Sequence, residues 1–252
     1  MIFEVEAHET ADGGSLFKPL GAEPLPSILV LHGSEGGDSG WSHLKAMWLA
    51  QYGFNTYPLN YSVEGSPWHA GNIVDVDLAR TQNALHYLRE EVSLGKKVGI
   101  YGFSRGAEHA LLLASLMAKE SVRKDLPDAI AVHSPTDTVA GPFRPKNHSA
   151  ISPELNSPLS PAAWRWKGSS KDILLGTPIK IERYQGPVFI SHGTADTIWS
   201  CQRSRNLEVR LRAAGHSPEI HYYDGQGHTL DKASNSIQQK RLVAFFKAKL
   251  SS

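Results

Sequence analysis

Three side chains in this 252-residue sequence have the types and the order that nucleophilic catalysis requires: Ser104, Asp196 and His228. Ser104 is the centre of Gly102-Phe103-Ser104-Arg105-Gly106, a G-x-S-x-G pattern. A serine hydroxyl attacks an acyl carbon when a base takes its proton. A neutral histidine can do that if a carboxylate holds its tautomer and stabilises the imidazolium. His228 lies in the glycine-rich run Asp224-Gly225-Gln226-Gly227-His228, and Asp196 ends Ser191-His192-Gly193-Thr194-Ala195-Asp196. Asp137 is an alternative acid, since it too follows an apolar run, whereas Asp224 is placed to cap the end of its strand. Among the other histidines, His109 is expected to be a satisfied helix residue, and His216 and His221 to be surface or strand residues.

Acyl transfer also needs donors for the oxyanion. One is the backbone N–H of Arg105, directly after the nucleophile and at a helix N-terminus, where unpaired N–H groups favour negative charge. The second is expected from Leu31-His32-Gly33-Ser34-Glu35-Gly36-Gly37, through the Ser34 N–H, with glycines letting the loop reach the substrate oxygen. No step calls for a metal or an organic cofactor. The twelve histidines form no HExxH-type pair, and a single cysteine, Cys201, makes neither a ligand cluster nor an intrachain disulfide.

These residues need a frame that holds them at one edge. Short apolar runs alternate with helical patterns, which predicts an α/β fold: a mostly parallel central sheet with helices on both faces. The expected buried strands are 27–32, 54–59, 97–101, 129–133, 188–192 and 219–223. The expected helices are 72–94, stopped by Gly95, then 105–119, apolar nearly all round, 201–214 and 236–250. Ser104 therefore sits between a strand and a helix, the setting that gives G-x-S-x-G its meaning. The rhythm breaks over 134–184, a stretch with seven prolines and two close tryptophans, Trp164 and Trp166. A connection of that length predicts an insertion over the active site, with the tryptophans lining an acyl pocket; a surface excursion without a role is the alternative. Arg144, Lys146, Arg165, Lys167 and Lys171 in it could meet the phosphates of coenzyme A, or form a solvated face.

Composition fits one domain of a globular enzyme, 40% apolar and 20% charged. With 26 basic against 25 acidic residues, no overall field recruits nucleic acid or a membrane. The first residues lack the pattern of a secretory leader, and no apolar run is long enough to span a bilayer, so a cytoplasmic enzyme is expected.

The segment Tyr101-Gly102-Phe103-Ser104-Arg105-Gly106-Ala107-Glu108-His109-Ala110-Leu111 resembles the elbow of the α/β-hydrolase domain shared by acyl-CoA thioesterases and bile acid-CoA:amino acid N-acyltransferases. The runs 179–188, 193–199 and Gly33-Ser34-Glu35-Gly36-Gly37 are similar as well, so the resemblance covers roughly residues 25 to 250. The dienelactone hydrolases look like the next relatives. In the acyltransferases and in the dienelactone hydrolases cysteine is a common nucleophile, whereas this chain carries serine, whose acyl-enzyme is readily attacked by water. The resemblance therefore implies hydrolysis of a small-molecule carboxylic ester or thioester. Acyl transfer from the same acyl-enzyme, and ligand binding on a retained hydrolase scaffold, are the alternatives.

Overall fold

The expected strands pair into one sheet. The computed structural model describes residues 2–11, 13–21, 24–62, 71–120, 124–145 and 162–250. Its strands are β1 (Val5–Glu9), β2 (Ser15–Pro19), β3 (Ser27–Leu31), β4 (Asn55–Leu59), β5 (Val76–Asp77), β6 (Val98–Phe103), β7 (Ala129–His133), β8 (Trp164–Arg165), β9 (Val188–Gly193) and β10 (Glu219–Tyr223). Eight of them form a sheet in the order β1-β2-β4-β3-β6-β7-β9-β10, antiparallel at the first two pairings and parallel beyond. β5 and β8 form a separate two-stranded piece.

The parallel strands are buried on both faces, so they read as continuous apolar runs. Alternation along each strand then sorts the side chains between two cores. Ile28, Val30, Ala129, Ala131 and Phe189 face the helices α1 (Trp41–Ala50) and α5 (Lys232–Leu250), meeting Leu49, Phe245 and Phe246. Leu29, Leu31, Ile130, Val132 and Ile190 face α2 (Ala79–Tyr87), α3 (Arg105–Lys119) and α4 (Gln202–Ala213), meeting Leu85, Leu111 and Leu207. Residues 105–117 of α3 are all buried, as an all-apolar central helix requires.

One expectation needs correction. The helix expected over 72–94 begins only at Ala79, whose N–H bonds the Asp77 carboxylate at 2.9 Å, and it continues through a π-turn over Leu88–Val92. The backbone of 73–78 is instead taken by side pairing: Ile73 with Phe143, Val76 with Trp164 and Asp77 with Arg165. The same pairing ties the described part of 134–184 to the domain, and Thr138 bridges Pro178 within that segment. Residues 146–161, the middle of the expected insertion and including Lys146, lie outside the described residues.

Candidate active site

β6 ends at Phe103 and α3 begins at Arg105, which leaves Ser104 alone in the turn with φ 52° and ψ −117°. That backbone is strained for a residue with a side chain and survives because its surroundings over-determine it. The flanking glycines are the reason they can. A Cβ on Gly102 would lie 2.3 Å from the Gly106 carbonyl oxygen, and one on Gly106 would lie 2.4 Å from the oxygens of Leu31 and His32. Helix, strand and the preceding loop thus touch backbone to backbone. The Ser104 N–H is held by the His133 carbonyl at 3.0 Å.

His228 follows β10 and points its Nε2 at Ser104 Oγ, 2.9 Å away. Its Nδ1 lies 2.7 Å from Asp196 Oδ2. A carboxylate only accepts, so Nδ1 carries the proton and Nε2 is left to accept the Ser104 hydroxyl. Ser134, at φ 49°, donates its hydroxyl to the His228 carbonyl at 3.0 Å and pins the loop. Asp196 takes four donors: His228, His192 Nε2 at 2.8 Å, and the N–H groups of Ile198 and Trp199 at 2.8 and 3.0 Å. Burial acts to raise the Asp196 pKa, but the hydrogen bonds from His192, His228 and the Trp199 backbone outweigh it. The carboxyl is held well below the ordinary carboxylate range. His192 is oriented in turn by the Ser204 hydroxyl, 2.7 Å from its Nδ1.

Of the competing acids, Asp137 is engaged by Arg203 at 3.1 Å and Asn206 at 2.8 Å on α4, and Asp224 accepts the Thr194 hydroxyl at 3.1 Å. The Gly33–Ser34 loop does come to the nucleophile, since a Cβ on Gly33 would sit 3.2 Å from Ser104 Cβ. It is held from both ends. Tyr61 stacks on the His32 ring at 3.9 Å and donates to the His32 carbonyl at 2.7 Å, while the Gly33 N–H bonds Glu35 Oε1 at 2.7 Å. Burial raises the Glu35 pKa, against the pull of the Gly33 N–H and of His228.

His109 is not the satisfied residue expected. It is fully buried between Tyr61 and Trp164, its pKa lowered by burial to about 3, and neither ring nitrogen has a partner among the described residues. The tryptophans also depart from expectation. Trp164 is 0% exposed, with its Nε1 bonded to Glu108 at 2.7 Å, and Trp166 bonds Glu120 at 2.6 Å. Both belong to the core on the α3 side rather than to a pocket wall. Their counterpart is Glu108, which accepts the Ala140 N–H at 2.7 Å and pairs with Arg105 at 2.9 Å, and whose pKa burial raises. Arg105 and Glu108 therefore clamp the described part of 134–184 to the elbow helix. Of the cations considered for coenzyme A, Arg165 pairs with Asp75 at 3.1 Å and Lys167 with Glu120.

No family model matches the chain. Among solved structures, a Klebsiella pneumoniae protein described as a dienelactone hydrolase superposes with a TM-score of 0.65 at 17% identity, over 96% of this chain and 98% of that one. A thermophilic esterase of Thermogutta terrifontis superposes with a TM-score of 0.61 at 17% identity, over 98% and 92%. The chain is an α/β-hydrolase in fold. Among curated proteins, the chain is 26% identical over 235 residues to the peroxisomal succinyl-coenzyme A thioesterase of Mus musculus, covering 86% of this chain and 52% of the relative. It is 24% identical over 232 residues to the acyl-coenzyme A amino acid N-acyltransferase 1 of Mus musculus, covering 86% and 51%. The chain spans about half the length of the curated relatives it matches. No helix among the described residues is long and apolar enough to cross a membrane, and no group of metal-ligating side chains occurs among them.

Proposed function

We propose that this chain hydrolyses carboxylic ester or thioester bonds through an acyl-enzyme on Ser104. The observation that carries this reading is the hydrogen-bonded line from Asp196 through His228 to Ser104, 2.7 and 2.9 Å, ending on a strained serine. In it, His228 takes the hydroxyl proton as Ser104 attacks the acyl carbon. The Ser34 and Arg105 N–H groups receive the oxyanion, and His228 then protonates the leaving alcohol or thiol. Water, deprotonated by the same imidazole, attacks the acyl-enzyme and releases the acid. Asp196 remains ionised throughout. The single cysteine, buried Cys201, suits a reducing, cytoplasmic setting.

A fluorophosphonate probe should label Ser104, and Ser104→Ala should lower esterase turnover by at least about a thousandfold. Near-native turnover by a folded Ser104→Ala protein removes the nucleophile from this reading. A panel of p-nitrophenyl esters and acyl-CoAs of graded length, run side by side, separates esterase from thioesterase. The similarity to an N-acyltransferase supports a second reading, transfer of the acyl group to an amine. Amide product formed when glycine is added to the same acyl-CoA panel would favour it.

A further inference from the structure

We infer that the cavity between α1 and α5 binds a small carboxylate, with the Lys45 ammonium as its counter-ion. The cavity has a volume of about 330 Å³, within the usual range of ligand sites. Lys45 lines it while only 8% exposed. Its ammonium is caged by the rings of Trp41, Trp48 and Tyr101 at 5.7, 5.2 and 5.5 Å. Among the described residues no carboxylate or hydrogen-bond acceptor reaches it, and burial alone lowers its pKa from 10.5 to about 8, which leaves it mostly protonated at neutral pH. A buried ammonium needs a counter-ion or acceptors, and aromatic faces replace only part of its hydration. An anion entering the cavity would complete its coordination.

The rest of the wall selects the anion. Asn235, Gln238 and Gln239 of α5 bring side-chain amides, Thr229 a hydroxyl and His133 an imidazole, and the remaining surface is aromatic or aliphatic. One cation, a few neutral polar groups and aromatic or aliphatic walls suit a carboxylate on a short apolar body better than a phosphate, which carries more charge and more acceptors. The cavity also adjoins the reacting groups. Phe103, directly before Ser104, lines it, with its ring 5.1 Å from Trp41 and 5.3 Å from His228, and Thr229, directly after His228, lines it too. The carboxylate therefore comes from one of two sources: the far end of an acyl group bound at Ser104, which rests on the proposed hydrolase reading, or a free acid. Binding itself does not depend on that reading.

Titrating the full chain with butyrate, hexanoate and benzoate, each against its uncharged amide, reads occupancy through tryptophan fluorescence and needs no turnover. The acids should bind about ten- to a hundredfold more tightly than the amides, and Lys45→Met should abolish that preference. Leu44→Glu sets a like charge at the mouth, at a position 64% exposed where folding is not at stake. It should weaken the acids by about threefold or more and spare the amides. Equal affinity of wild type for acid and amide, or a preference kept by a folded Lys45→Met protein, overturns the inference. Should Lys45→Met fail to fold, unchanged acid affinity in Leu44→Glu overturns it. Inhibition kinetics against p-nitrophenyl acetate identify the source: competitive inhibition marks the acyl end, and a change in kcat at constant KM marks a free acid, either pattern supporting the site. Fluorophosphonate labelling is scored apart, so a chain that binds acids without reacting keeps the anion site and loses the hydrolase reading.

Discussion

Replacing Asp196 by asparagine keeps its shape and removes one of its two acceptor oxygens. In the native site Oδ1 receives two backbone N–H groups, from Ile198 and Trp199, while Oδ2 receives His228 and His192. Backbone donors cannot reverse, so the amide oxygen must take the Oδ1 position and the NH2 group must face the two imidazoles. His192 tolerates the change, because its Nε2–H still has the Trp199 carbonyl, 2.8 Å away, to accept it. His228 can adapt only by offering Nδ1 as an acceptor, which moves its proton to Nε2. That nitrogen lies 2.9 Å from Ser104 Oγ and would then donate to it instead of taking its proton. The expected loss is about ten-thousandfold in kcat, or about 5–6 kcal/mol of transition-state stabilisation, with little change in KM. Steady-state kinetics on p-nitrophenyl acetate measure it, and imidazole 15N shifts report the tautomer. A variant within about tenfold of wild-type kcat would refute the assignment of Asp196 as the acid behind His228.

Other outcomes follow from the same geometry. Trp164→Ala should cost about 3–5 kcal/mol in chemical denaturation, since it empties a fully buried site and removes one donor from the Glu108 carboxylate; an unchanged midpoint with raised KM for long acyl chains would make it a pocket wall after all. Because Asp196 titrates lower folded than unfolded, its contribution is complete above the unfolded pKa and is lost as pH falls below about 4. Unfolding free energies across that range should fall more steeply for wild type than for Asp196→Asn, and parallel curves contradict it. The Lys45 pKa is also lowered on folding, but for a cation that opposes folding, so wild-type stability should rise as pH climbs from about 8 to 10.5, and Lys45→Met should gain up to about 3 kcal/mol at neutral pH. A loss of similar size in urea melts would mean that the three rings outweigh burial.

Much of the frame is legible from residue patterns because its strands are buried on both faces. Val98–Phe103, Ala129–His133 and Glu219–Tyr223 stand close to where apolar runs and turn residues place them. The antiparallel edge, β1 and β2, is less readable: β1 is mostly exposed and carries little apolar signal. α1 starts after Gly40 with no capping side chain, so the usual start signal is missing. The 72–94 stretch misleads for a different reason. Its helical spacing is real from Ala79 onward, but residues 73–78 find backbone partners at 143 and 162–165, far away in the chain. Local periodicity carries no information about such partners.

The site divides along the same line. Ser104, Asp196 and His228 follow strand ends in an order that leaves few alternatives, and the structure brings their polar atoms within hydrogen-bond reach. What supports them comes from elsewhere: His192 on the far side of the carboxylate, Ser134 beneath the His228 carbonyl, Glu35 on the Gly33 N–H. Each is a polar residue whose partner is set by the fold rather than by spacing. The tryptophans illustrate how the inference fails. Two large aromatics in a proline-rich segment read as residues without a core, yet Glu108 and Arg105 supply a polar seat on α3 that accepts the Trp164 indole and stacks its ring at 5.1 Å. Lys45 is the converse case, and its signal lies in the chain itself. Trp41, Lys45, Trp48 and Leu49 stand at i, i+4, i+7 and i+8, one helical stripe with a cation in the middle. A lysine on the face of a helix that packs against the sheet must either be paired or open onto something, and here it opens onto a cavity beside the nucleophile.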